Sequence, residues 1–105
     1  MADHPKQHEQ HETVTVTDQQ VEHPPMFRVL LHNDDYTTVE FVVVILVEVF
    51  LRPLAEAVRI TQAVHERGIG VAGVYPYEIA ETKVHRVHQL AKSSGFPLKC
   101  SIEQE

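Results

Sequence analysis

The stretch Val39-Glu40-Phe41-Val42-Val43-Val44-Ile45-Leu46-Val47-Glu48-Val49-Phe50-Leu51 decides most of what this chain can become. It is shorter than the ~20 residues needed to cross a bilayer, and it carries Glu40 and Glu48. A run so apolar must therefore be covered by the rest of the chain, as part of a folded core. Its valines and isoleucine favour a strand locally. Three features favour a helix instead. Thr37 or Thr38 can cap it, with Glu40 in the first turn as in a capping box. The run exceeds a usual strand, and Glu40 and Glu48 lie two helical turns apart on one face. The spacing predicts a helix over Val39 to Leu51.

The whole chain has 105 residues. A chain of that size buries about 60–65% of its unfolded surface, enough for one modest core. Asp and Glu outnumber Lys and Arg 15 to 9, for a formal charge of −6. That balance argues against nucleic acid, which needs a basic face. The single cysteine, Cys100, excludes an internal disulfide framework and a multi-cysteine zinc site. The first residues, MADHPKQHEQHE, have no apolar segment like that of a signal peptide and are too acidic for a transit peptide. A cytoplasmic setting, with no membrane association, is the expectation.

Residues 1–23 are rich in Gln, His, Glu and Thr, and read as a disordered N-terminal extension. The alternation Thr13-Val14-Thr15-Val16-Thr17 could pair as an edge strand. Pro24-Pro25 mark the junction with a single domain over residues 24–105. There, Phe27 to Leu31 reads as a strand that stops at the turn-formers His32-Asn33-Asp34-Asp35. After the Val39–Leu51 helix, Pro53 fits the first position of a second helix, whose apolar spacing runs through Leu54, Ala57, Val58, Thr61, Val64 and His65. Gly68 and Gly70 stop it. Ile69 to Tyr75 reads as a strand, Pro76 opens a third helix that ends near Gly95, and Leu98 to Ile102 makes a last strand. The expected fold is α+β, in the order β-α-α-β-α-β. The strands would form a three-stranded antiparallel sheet with three helices on one face.

Few residues suggest chemistry. His4, His8 and His11 lie in the extension without a scaffold to hold a metal. HEQHE is not the metalloprotease signature, because its histidines are three apart rather than four. His85 and His88 read as a solvated helix face. The loop Asn33-Asp34-Asp35-Tyr36-Thr37-Thr38 sets an amide beside two adjacent carboxylates. It could receive a cation or ammonium group, form a hydrolase pair, or serve only as a turn and cap. His65 ends an apolar stripe. It could be a satisfied core residue, a cap for helix carbonyls, or part of a site. A hydrolase built from Asp34, Asp35 and His65 lacks a nucleophile, a metal cluster and an oxyanion donor motif. No catalytic residue, metal or cofactor is expected.

Three segments, FRVLLHNDDYTTVEFV, AVHERGIGVAGVYPYEIAETKV and GFPLKCSIE, carry a resemblance over about residues 24–105. NDDYT, AVH followed by a glycine, GV-x-Y and EIAETK stand in the order and spacing of the ClpS family, the adaptor of the ATP-dependent Clp protease. The resemblance implies a fold like the C-terminal domain of a ribosomal stalk protein. It also implies a binding protein rather than an enzyme, one that takes cargo whose first residue is Leu, Phe, Tyr or Trp and hands it to a Clp AAA+ ATPase. By resemblance, Asn33, Asp34 and His65 match residues that grip the free α-amine, with Asp35 and Thr37 at the border. Val39, Thr61, Val64 and Leu98 match the walls of a pocket for the first side chain. Glu78 and Lys83 match the contact with the ATPase N-terminal domain, and the extension matches the part engaged during delivery. A monomer is expected.

Chemistry agrees with that assignment. An ammonium is a three-way donor, and an amide oxygen, a carboxylate and a neutral imidazole nitrogen are acceptors. The sequence departs from the family at Val39 and Thr61, where methionine is common, so a wider or reshaped pocket is expected. Val44 and Val47 stand where a more polar face is usual; they form either an apolar patch, for a partner or for weak self-association, or scattered surface valines. The other reading is a stalk-like or ClpS-like interaction module with altered cargo and no amine recognition.

Overall fold

The computed structural model describes residues 23–105. The expected 1–23 extension, apart from His23, lies outside the described residues. So do its histidines at 4, 8 and 11 and the Thr13–Thr17 alternation. The elements run β1 (Met26–His32), α1 (Val39–Glu48), α2 (Leu54–Arg67), β2 (Ile69–Pro76), α3 (Tyr77–Ser94) and β3 (Lys99–Gln104). The sheet is antiparallel with β1 in the middle, in the order β2-β1-β3. The α+β order β-α-α-β-α-β read from the sequence is the observed one.

Pleating divides β1 between two faces. Val29 and Leu31 are fully buried and share one core cluster with Ala72 and Cys100 from the neighbouring strands. All three helices contribute to that cluster: Val42, Ile45 and Leu46 from α1, Ala57 and Val64 from α2, and Ala80, Val87 and Ala91 from α3. The alternate residues of β1 and β3 carry polar cross-strand pairs. Arg28 stands opposite Glu103 and bridges it at 3.1 Å. The ring Nε2 of His32 lies 2.7 Å from the Ser101 hydroxyl.

Helix α1 forms despite its β-branched residues because tertiary burial outweighs local propensity. Thr38 is its N-cap, and the threonine hydroxyl accepts the Phe41 N–H at 3.1 Å. The helix ends at Glu48, earlier than Leu51. Val49 is the C-cap, the Arg52 N–H turns back to the Leu46 carbonyl at 3.0 Å, and Leu51 takes φ 55. No basic residue lies in the last turn of α1. Lys83 of α3 supplies the cation there, donating to the Val49 carbonyl at 2.6 Å.

Pro53 and Pro76 are N-caps rather than first helical residues, so both helices start one residue later than the sequence suggests. The expected Val44–Val47 patch reduces to Val44, which is 52% exposed; Val47 is half-buried against the core. His88 is not only solvated: its Nε2 accepts the Cys100 N–H at 3.1 Å and ties α3 to β3. Among the described residues, no helix is long and apolar enough to cross a membrane.

Burial pushes the Cys100 thiol up to about 12. A thiol that stays protonated is a poor nucleophile. A maleimide at pH 7.5 is therefore expected to leave the folded chain unlabelled and to label it fully in denaturant, as mass spectrometry would show.

Candidate functional site

The antiparallel pairing of β1 with β2 ends at His32 opposite Ile69. It is extended one step by the Asn33 N–H, which donates to the Gly68 carbonyl at 2.9 Å. Gly68 closes α2 in the left-handed conformation, at φ 86, with its N–H on the Val64 carbonyl. The loop after β1 is thereby fastened to the end of the helix that carries His65. Two residues on, the backbone of β2 passes directly against α2. A Cβ on Gly70 would sit 2.6 Å from Val64 Cγ2 and 3.3 Å from the Ile60 carbonyl oxygen. Only glycine permits that approach.

These constraints leave a cavity of about 540 Å³ between the loop, the start of α1 and the end of α2. Asn33, Asp34, Asp35, Thr37, Val39, Thr61, Val64 and His65 all line it, so eight of the nine residues expected at an end-binding site stand around one space. The ninth, Leu98, is 4% exposed in the core and does not line this cavity. Sequence reasoning passed over Tyr36, Thr38, Glu40 and Val42, which also line it. Val42 could have been found: it is one helical turn beyond Val39 and faces the same way. Glu78 is exposed in the first turn of α3, and Lys83 is half-buried under its bond to Val49, 5.6 Å from the centre of the Tyr75 ring.

Asp34 organises the loop. Its Oδ1 accepts the N–H groups of Tyr36 and Thr37 at 2.8 and 2.7 Å, and its Oδ2 accepts the Thr37 hydroxyl at 2.7 Å. Partial burial by itself raises the carboxyl, but the bonds from the Thr37 N–H, the Thr37 hydroxyl and the Tyr36 N–H outweigh it. The group lies below its ordinary value. A carboxylate has about four lone-pair sites, so Asp34 retains its charge and one open acceptor direction. Asn33 and His65 are exposed. Among the described residues no protein group hydrogen-bonds either side chain, so both are free to meet a ligand.

The lining includes three carboxylates, Asp34, Asp35 and Glu40, and neither Lys nor Arg. The N-terminus of α1 contributes only about +0.5 charge against them. The upper rim therefore favours a cation and supplies acceptors. The floor is apolar, since Val42 and Val64 are buried. Thr61 is a buried polar residue in this wall, but its hydroxyl is already committed to the Ala57 carbonyl at 2.8 Å. Among the described residues, no group of three or more His, Cys, Asp or Glu side chains could hold a metal.

A depressed carboxyl pKa ties stability to pH with a definite sign. Asp34 contributes stability that is fully present above its unfolded value of about 3.9 and is lost as pH falls through the lower folded value. Asp34→Asn is expected to lower the melting temperature at pH 7. The gap from the native chain should narrow steadily between pH 4.5 and pH 2, and parallel thermal melts would reveal it.

Comparison with known proteins agrees with the fold. The family profile for the ATP-dependent Clp protease adaptor protein ClpS matches residues 22–101. A ClpS adapter of Desulfatibacillum aliphaticivorans is 57% identical over 94 residues, covering 90% of each chain. One from Nitratidesulfovibrio vulgaris is 57% identical over 93 residues, covering 89% of this chain and 93% of its own. Among solved structures, Agrobacterium tumefaciens ClpS2 bound to L-phenylalaninamide superposes with a TM-score of 0.76 at 40% identity. The match covers 79% of this chain and 100% of that one. The chain belongs to the ClpS family, adaptor proteins of the ATP-dependent Clp protease.

Proposed function

We propose that this protein binds proteins by a free N-terminus bearing Leu, Phe, Tyr or Trp, and delivers them to a Clp AAA+ ATPase. It does so as a monomer in the cytoplasm. The observation that carries this reading is one cavity with unpaired acceptors and negative charge at its rim and valines at its floor. An α-ammonium group is what separates a chain end from an internal residue. Asn33 Oδ1 and a neutral His65 nitrogen accept from it, while Asp34 adds its charge and its remaining lone pair. The first side chain then enters among Val39, Val42, Thr61 and Val64. The relative solved with L-phenylalaninamide has such a ligand, a free α-amine beside an aromatic side chain.

Delivery requires a second surface. Glu78 and Lys83 do not line the end-binding cavity. Lys83 lines a hollow with Glu48, Val49, Ile79, Thr82 and Arg86, and Glu78 precedes Ile79, which is 47% exposed. This is the face assigned to the ATPase N-terminal domain.

Fluorescence anisotropy with short peptides that differ only in the first residue and its acetylation tests the reading. Peptides beginning with Leu, Phe, Tyr or Trp should bind, and their acetylated forms should not. Asn33→Ala should cost about 1.5–3 kcal/mol, or roughly 10–100-fold in Kd. Equal binding of free and acetylated peptides would overturn end recognition. Short side chains at Val39 and Thr61 leave room for first residues of differing shape. Measurable affinity for Ile or Val ends is therefore expected, and their strict exclusion would contradict it.

The pH profile tests the ammonium. Affinity should fall as pH rises through the reference α-amine range of about 7.7–8.0. Asp34, held below the ordinary carboxylate value, stays ionised throughout that range, so the loss reports the ligand's amine.

A further inference from the structure

A groove of about 630 Å³ lies between α1 and α3. Phe41, Val44, Ile45, Leu90 and Phe96 make its lining largely apolar, and the Phe41 and Phe96 rings meet with their centres 4.8 Å apart. Thr38, Glu40 and Ser94 stand at one end, Glu48 and Arg86 at the other. Among the described residues the salt bridges are Arg28–Glu103 and Arg52–Glu56, so Glu40, Glu48 and Arg86 are left without an ionic partner. Val44, 52% exposed, lies between these charges. The groove is not isolated. Glu48 and Arg86 also line the hollow that holds Lys83 and Ile79, so groove and hollow form one surface along α1 and α3.

We propose that the groove is the second half of the ATPase-binding surface, and that it seats an apolar side chain of the ATPase N-terminal domain with a Lys or Arg beside it. The inference rests on the delivery reading above, which puts that domain over Lys83 and Ile79. Six residues line the hollow, whereas a specific interface takes about 20–30 a side. The contact must spread, and the groove is the apolar surface continuous with it. A partner over the hollow also covers Glu48 and Arg86, and covering a charge is costly unless an opposite charge meets it. Around the groove two carboxylates stand against one guanidinium, so the matching segment is basic on balance.

The test measures binding of the full chain to an intact Clp AAA+ ATPase and, separately, to a free-amine peptide beginning with Leu. Val44→Lys is the main variant, because Val44 lines neither the end-binding cavity nor the hollow. A cation there stands four residues from both Glu40 and Glu48, a spacing that supports the helix. It should weaken ATPase binding about tenfold and leave peptide affinity within about twofold. Val44→Ala should cost about fourfold, the value of half-burying two methyl groups. Val44→Glu should cost less than Val44→Lys, and the reverse order would overturn a basic partner. Ser94→Lys, at the exposed end of α3 where a cation suits the helix terminus, should also weaken ATPase binding, so a folding defect in one variant does not decide the matter. Ile79→Asp, in the hollow, is the reference. If it weakens ATPase binding while Val44→Lys and Ser94→Lys do not, the groove is overturned and the delivery face stands. If none of the three does, the delivery face is overturned and the groove with it. Loss of peptide binding in Val44→Lys would make the groove a cargo site. A native dimer that Val44→Lys dissociates would make it a contact between copies of this chain. Either result overturns the proposal.

Discussion

The hydrogen bond from the Asn33 N–H to the Gly68 carbonyl is the joint on which the site depends. It carries the β1–β2 ladder one step past the strand, at the point where β1 becomes loop and α2 becomes strand. Everything that must converge is attached near it: Asn33 and Asp34 on one side, His65 and Val64 on the other. Gly68 makes it geometrically possible, because a helix that reverses into a strand within two residues needs a left-handed position. Gly70 makes it tight, because the strand lies on the Val64 side chain with no room for a methyl group. The site is thus built on the sheet rather than on a free loop, and the loop contributes only what Asp34 can order.

The helices are held to that frame by bonds spanning long stretches of sequence. Lys83 reaches from α3 to the carbonyl end of α1, Arg52 reaches the Ala72 carbonyl of β2 at 2.8 Å, and His88 takes the Cys100 N–H of β3. Each meets a backbone group that would otherwise be unpaired at the end or edge of an element. The valine-rich helix has few polar means of its own to fix its position. Its orientation against α2, and hence the width of the end-binding cavity, depends on these ties and on core packing.

Much of this was legible beforehand. Turn-formers after a β-type run, a Thr cap ahead of Glu40, glycines at both helix exits and the order of elements could all be read locally, because each reflects a backbone preference that acts over a few residues. The convergence of Asn33, Asp34 and His65 came from resemblance; no local rule brings residue 33 to residue 65. What stayed hidden was long-range. The early end of α1 depends on Leu51 at positive φ and on a lysine 34 residues away. Leu98 reads as an apolar wall candidate like the others, yet the fold puts it in the core, away from the cavity lining. His88 looked solvated because its partner lies on a strand that only the tertiary fold brings near.

Thr61 shows how sequence alone misstates a surface. Read as a residue type, a threonine in an apolar wall is a polar intrusion with an unmet donor. In α2 its hydroxyl turns back to the Ala57 carbonyl, the bond a buried threonine commonly makes within a helix. With the donor spent, Thr61 offers a ligand its methyl group and an acceptor oxygen, but no donor. Its shortness and that of Val39 then matter more than its polarity. Longer side chains at those two positions would divide the end-binding cavity from the smaller space of about 360 Å³ lined by Val43, Val58 and Gln62, whereas these leave the two meeting along a low wall beside His65. The pairing of a charged, acceptor-rich rim with continuous, largely apolar space beyond it is therefore set by side-chain length at two positions, and by one internal hydrogen bond that uses up a hydroxyl donor.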